Sequence, residues 1–166
     1  MSARSRRPVG RRATQSVRGS AVRVDVSHDG LRGGLTHADV RAVTHAVLRA
    51  ERVRRARFSI TLVSDAVIRR LNVRHLDRAA ITDVIAFGMS DVSGCIVGDV
   101  YVGVAEARRS AARHGVAVRE ELVRLVVHGV LHVLGYDHPD GDARVGSAMW
   151  KRQEALVGRL MRETRR

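Results

Sequence analysis

One cysteine in 166 residues, Cys95, means that no disulfide can close within the chain and that no cysteine-rich zinc cluster can form. A reducing compartment is compatible with that count. Cys95 lies in an apolar run and reads as a small buried residue rather than a reactive thiol. Long hydrophobic runs are missing too: the most apolar stretch, Leu122 to Leu134, is broken by Arg124, His128 and His132, which argues against a membrane-spanning segment. Lysine is nearly absent, with Lys151 alone, and acidic residues are few, 17 against 30 lysines and arginines. The formal net charge of +13 predisposes the protein toward polyanions, and phosphate contacts supply most non-specific nucleic-acid binding.

The charge is uneven. Residues 1 to 24 hold seven arginines and no acid, and the remaining +6 is spread over the rest of the chain. Residues 1–21 are Arg, Ser and Gly rich without an apolar period, so they read as a disordered basic arm that adds non-specific RNA affinity. An Arg-rich, acid-free beginning also fits a mitochondrial transit peptide, but the apolar core of a secretory signal is missing. Residues 22–166 suit a single domain. Val22, Val24 and Val26 alternate with polar residues as a half-buried strand does, and Phe58, Ile60 and Leu62 repeat the pattern. Thr36 with Asp39 resembles a capping box opening a helix to about Ala50, and Ser64 can cap the next helix. Val84 to Phe87 and Cys95 to Val102 read as short strands. Helices follow from Val102 to His114, from Val118 to Leu134, and from about Asp142 to Met161, where Asp140 or Asp142 is the expected cap. The sum is an α+β fold.

What the sequence does contain is H-x3-H-x5-H: His128, His132 and His138. On a helix His128 and His132 share one face, one turn apart, and can offer two imidazoles to one ion. Gly135 can take the left-handed conformation that reverses the chain, which would bring His138 back toward them. Three protein ligands leave a fourth position open, the pattern of catalytic rather than structural zinc. The same spacing occurs in metzincin proteases, which carry a glutamate right after the first histidine. Here that position is Gly129, so such a protease would lack its base. Asp137 is a candidate to orient His138 by accepting its second ring proton, with a turn-stabilising role as the alternative. Asp83 and Asp99 sit at predicted strand ends, where turn and site roles are both open. Met149 and Trp150 read as core, and His28, His37, His45, His75 and His114 as solvated or incidental.

The segment from His128 to His138 resembles the HGxLHLxGYDH block of the YbeY metallo-endoribonucleases, also called rRNA maturation factors. Two further blocks agree in order: Leu71-Asn72 followed by Thr82-Asp83-Val84-Ile85-Ala86-Phe87 looks like LN…TDVLSF, and Gly98-Asp99-Val100 looks like GDI. The resemblance implies a small mixed β-sheet packed against a helical layer. It also implies one zinc per chain on His128, His132 and His138, and a cytoplasmic bacterial setting. The implied activity is single-strand-specific endoribonuclease action in rRNA processing, at the small-subunit rRNA 3′ end, and in ribosome quality control. Ribosomal RNA and the small subunit are the implied partners; no protein partner is indicated. Many members place an arginine where this chain has Leu76, so Arg74 and Arg78 are the candidate RNA contacts here. No catalytic base is assigned, and a water activated by the metal is the expected nucleophile. The alternative is a non-catalytic, zinc-stabilised rRNA-binding factor for ribosome assembly.

Overall fold

Alternation of apolar and polar residues over 22–26 and 58–62 and two short apolar runs place the sheet, and a thirteen-residue stretch of leucine and valine interrupted on one stripe places the helix laid across it. The computed structural model describes residues 21–29, 34–76, 82–139 and 141–164. The basic arm expected over 1–21 and the candidate contact Arg78 therefore lie outside the described residues, apart from Ala21.

Four strands, β1 (Ala21–His28), β2 (Arg55–Val63), β3 (Val84–Ser90) and β4 (Ile96–Gly103), form one mixed sheet in the order β1-β2-β4-β3. The first three in that order run parallel and β3 returns antiparallel to β4. Five helices complete the fold: α1 (His37–Ala50), α2 (Asp65–Leu76), α3 (Val104–His114), α4 (Val118–Val133) and α5 (Ala148–Glu163). The expected α+β architecture, a small mixed sheet against a helical layer, is what the structure has. No helix among the described residues is long and apolar enough to cross a membrane.

α4 is the centre of the molecule. Leu122, Val126, Val127, Val130 and Leu131 are fully buried, because the helix packs on β3 and β4 on one side and on α1, α3 and α5 on the others. Its polar residues Arg124, His128 and His132 recur every four positions and so share one stripe. Register aligns Val24, Phe58, Gly98 and Gly88 in one row across the sheet, and Val26, Ile60, Val100 and Ala86 in the next. Glycine is required where α4 crosses these rows. A Cβ on Gly129 would collide with Val100 Cγ1 and come 3.1 Å from Val84 Cγ1, and a Cβ on Gly88 would meet the Val133 backbone at 3.0 Å. These bare positions let the helix ride low on the sheet.

The expected capping box is present. Thr36 Oγ1 accepts from the Asp39 backbone N–H at 3.1 Å, and the Thr36 N–H donates to Asp39 Oδ2 at 2.9 Å. Asp39 also receives both terminal nitrogens of Arg119, at 3.1 and 2.8 Å, which ties α1 to the start of α4. Cys95 is buried and free, as its apolar surroundings implied.

The chain's end departs from expectation. In place of one helix from Asp142, a single 3-10 turn spans Gly141–Arg144, Gly146 adopts φ +86, and α5 starts only at Ala148. The cap is Ser147, whose side chain accepts from Trp150 N–H at 3.1 Å, and not an aspartate. A glycine with positive φ ends regular helix locally, so the run of helix-compatible residues before it could not join α5.

Candidate metal centre

Gly135 takes φ +90 directly after α4, and the reversal returns His138 to the helix. His132 Nε2 lies 3.0 Å and His138 Nε2 3.4 Å from His128 Nε2, and one donor atom from each residue falls within 4.8 Å of the other two. For tetrahedral zinc with nitrogen at about 2.0–2.1 Å, neighbouring donor atoms sit about 3.3 Å apart. The spacing fits such an ion, and the donor set of three imidazoles suits zinc among other borderline metals.

The protonation pattern favours a cation as well. Every Nδ1 faces an acceptor: His128 donates to Gln153 Oε1 at 2.7 Å, His132 to the Tyr136 carbonyl at 3.0 Å, and His138 to the Pro139 carbonyl at 2.9 Å. A carbonyl oxygen only accepts, so each Nδ1 carries the hydrogen and each neutral ring turns a bare Nε2 lone pair inward. Three lone pairs converging at this distance repel one another unless a positive ion lies between them. Burial, followed by the neighbouring histidines, pushes His128 down to about 4, and burial together with His138 also lowers His132. Those two rings are thus held in the neutral state that a metal requires.

The orientation of Gln153 is itself determined. Its Nε2 donates to Glu154 Oε1 at 3.0 Å, and a carboxylate offers no hydrogen in return, so the amide oxygen must face His128. Glu154 accepts from Arg124 Nε at 3.0 Å, Arg124 reaches Glu121 Oε2 at 2.6 Å and Glu120 Oε1 at 3.0 Å, and Ser110 Oγ donates to Glu121 Oε1 at 2.6 Å. A connected polar layer between α3, α4 and α5 therefore fixes one ring. Around the second, Tyr136 is anchored by its hydroxyl to Glu51 Oε2 at 2.8 Å, and Glu51 also accepts from Arg152 Nε at 2.7 Å.

Gln153 escaped the sequence reading, although a signal existed. On α5 the buried positions Met149, Gln153, Leu156, Val157 and Leu160 form the apolar stripe, and one glutamine within such a stripe marks a polar group with a partner inside. Asp137 does not orient His138: its Oδ1 accepts the His138 backbone N–H at 2.8 Å, the turn-stabilising alternative, because Pro139 takes the ring proton. Asp83 joins the wall of a cavity of about 420 Å³ beside His128 and His138, with Oδ1 held by the Val84 N–H at 2.9 Å. Asp99 is exposed and does not line it. Arg74 is exposed on α2, beside Arg69 and Arg70 on a shallow depression apart from that cavity. Trp150, expected in the core, is only partly buried and lines the cavity, whereas Met149 is fully buried as expected. His28 and His37, read as incidental, pack edge to face with ring centroids 4.3 Å apart.

A mixed sheet in an α+β fold, under three histidines borne on a helix and the turn after it and able to hold a metal ion, defines the class. The family model described as Endoribonuclease YbeY matches residues 32–161. The Endoribonuclease YbeY of Anaeromyxobacter dehalogenans (strain 2CP-C) is 41% identical over 133 residues, 76% of this chain and 69% of that protein. The one from Pelotomaculum thermopropionicum is 36% identical over 140 residues, covering 80% and 88%. The solution structure of TM1509 from Thermotoga maritima shares the fold with a TM-score of 0.58 at 23% identity, covering 86% of this chain and 91% of that one. The chain belongs to the endoribonuclease YbeY family, a family of hydrolytic nucleases.

Proposed function

We propose that this chain is a zinc-dependent endoribonuclease specific for single-stranded RNA, acting in rRNA processing at the small-subunit 3′ end and in ribosome quality control in the cytoplasm. Residues 22–166 are then the catalytic domain, and residues 1–21 are a basic arm that raises affinity for ribosomal RNA. The observation that carries this reading is the set of three inward Nε2 atoms whose Nδ1 atoms are all engaged.

His128, His132 and His138 hold the zinc. When bound, the ion polarises a phosphoryl oxygen and lowers the pKa of water, which serves hydrolysis of a phosphodiester. The protein's own part is to keep His128 and His132 neutral through burial, and to place the ring hydrogens on Nδ1 through the acceptors Gln153, Tyr136 and Pro139, which leaves Nε2 for the metal. Arg74 on the open face of α2 adds a phosphate contact away from the site, in keeping with the +13 charge. Peptide hydrolysis is disfavoured, since a glutamate at position 129 has no room above Val100.

The test is metal content by elemental analysis beside cleavage of a single-stranded RNA ending in the small-subunit rRNA 3′ sequence, for wild type and His132→Ala. Zinc near one per chain, with cleavage lost in a variant that still folds, is the expected result. Bound zinc with no cleavage by either protein would leave the zinc-stabilised assembly factor as the surviving reading.

A further inference from the structure

The cavity of about 420 Å³ is walled on one side by His128 and His138, so a strand whose phosphate reaches the three histidines has its neighbouring nucleotide at the cavity mouth. Its size is within the roughly 300–1,000 Å³ of small-molecule sites, enough for one nucleotide and too small for a duplex. Trp150 precedes Gln153 by three positions on α5, and both line the cavity together with His128. It is the only tryptophan of the chain and remains partly exposed in the cavity wall, while the adjacent Met149 is 1% exposed.

The wall carries Asp83, Glu106, Glu121 and Glu154 against Arg113, Arg124 and Arg144, so a phosphate is drawn only where a guanidinium reaches solvent. Glu106 is paired with Arg109 and Arg113, at 2.6 and 2.8 Å, and the single guanidinium of Arg124 is shared by Glu120, Glu121 and Glu154, at 3.0, 2.6 and 3.0 Å. Arg113 remains largely exposed, and Arg144 has no ion pair among the described residues. An aromatic face flanked by exposed guanidinium groups is a combination that binds a single-stranded nucleotide, by stacking on the base and by contact with phosphate.

We propose that this cavity is a nucleotide subsite, in which Trp150 stacks on the base next to the scissile linkage and Arg113 and Arg144 contact the phosphate on its far side. The proposal rests on the endoribonuclease reading for its position in the reaction, though binding can be measured without cleavage. Because Trp150 is the sole tryptophan, its emission in the full zinc-loaded chain reports occupancy directly. Titration with adenosine 5′-monophosphate or uridine 5′-monophosphate should give a saturable change, adenosine a weaker one, and inorganic phosphate none. By calorimetry, Trp150→Leu should lose roughly 5- to 150-fold in affinity for the nucleotide, Trp150→Phe much less, and Arg144→Ala should erase the advantage of nucleotide over nucleoside.

An unchanged emission with both nucleotides overturns the subsite, as does an equal response to phosphate alone. So does wild-type nucleotide affinity in a Trp150→Leu protein that retains its zinc and its circular dichroism spectrum. The two readings fail separately: RNA cleavage without nucleotide-dependent emission removes only the subsite, and nucleotide binding without cleavage removes only the nuclease.

Discussion

Replacing Gly129 by alanine should, on helix propensity alone, stabilise α4 by about 1 kcal/mol, since glycine is the poorer residue in a helix interior. The packing predicts the opposite. The new Cβ would run into Val100 Cγ1 and stand 3.1 Å from Val84 Cγ1, and both are branched side chains rooted on strands of the sheet. Neither is the end of a flexible chain that can swing away, so helix and sheet must separate. Overpacking of this kind costs about 1–3 kcal/mol, and after the propensity gain the net loss is about 0–2 kcal/mol. In a chain of this length that lowers Tm by up to about 8 °C. The assay is thermal unfolding of chelator-treated protein by circular dichroism. Adding Val100→Ala removes the colliding methyl groups, so the double variant should be more stable than the two single losses summed, by about 1 kcal/mol. A rise in Tm for Gly129→Ala, or strict additivity with Val100→Ala, would refute the close approach of α4 to the sheet.

Gln153→Leu should keep the fold and weaken zinc binding about 10- to 100-fold in competition with a chromogenic chelator, because His128 loses the acceptor that fixes its tautomer. Asp39→Asn should cost about 1 kcal/mol at pH 7, allowing for partial exposure of the pair. The Arg119 guanidinium, then the Thr36 N–H, holds the Asp39 carboxyl well below its ordinary 3.8. A depressed carboxylate stabilises fully above the unfolded value and loses that contribution below it, so the gap between wild type and Asp39→Asn should close as pH falls from about 4 in denaturant titrations. Arg74→Ala should weaken single-stranded RNA binding equally for all sequences and reduce the slope of log affinity against log salt by about 0.7. An unchanged slope would remove Arg74 from the RNA path.

The three histidines were legible because their arrangement is local: a helical repeat of four and one glycine that reverses the chain need no distant partner. The capping box at Thr36 and Asp39 and the alternation in β2 were legible for the same reason. The residues around the histidines were not. Gln153 is 25 positions from His128 and Glu51 is 85 from Tyr136, so only folding brings them together. Asp137 stayed open between two roles, because adjacency to His138 allows a ring contact as well as a turn, and the structure has the turn, through the next backbone N–H. Gly129 was noticed for the base it lacks, whereas its bareness is set by β4, which no local pattern announces.

Gln153 belongs to α5, the last helix of the described structure. During synthesis, His128, His132 and His138 are joined to the chain before the amide that holds His128 in its metal-binding tautomer. A chain stopped just after residue 147 keeps all three histidines yet lacks Gln153, Glu154 and the indole of Trp150. Such a fragment should bind metal weakly and indiscriminately, so maturation of the centre depends on completing the polypeptide.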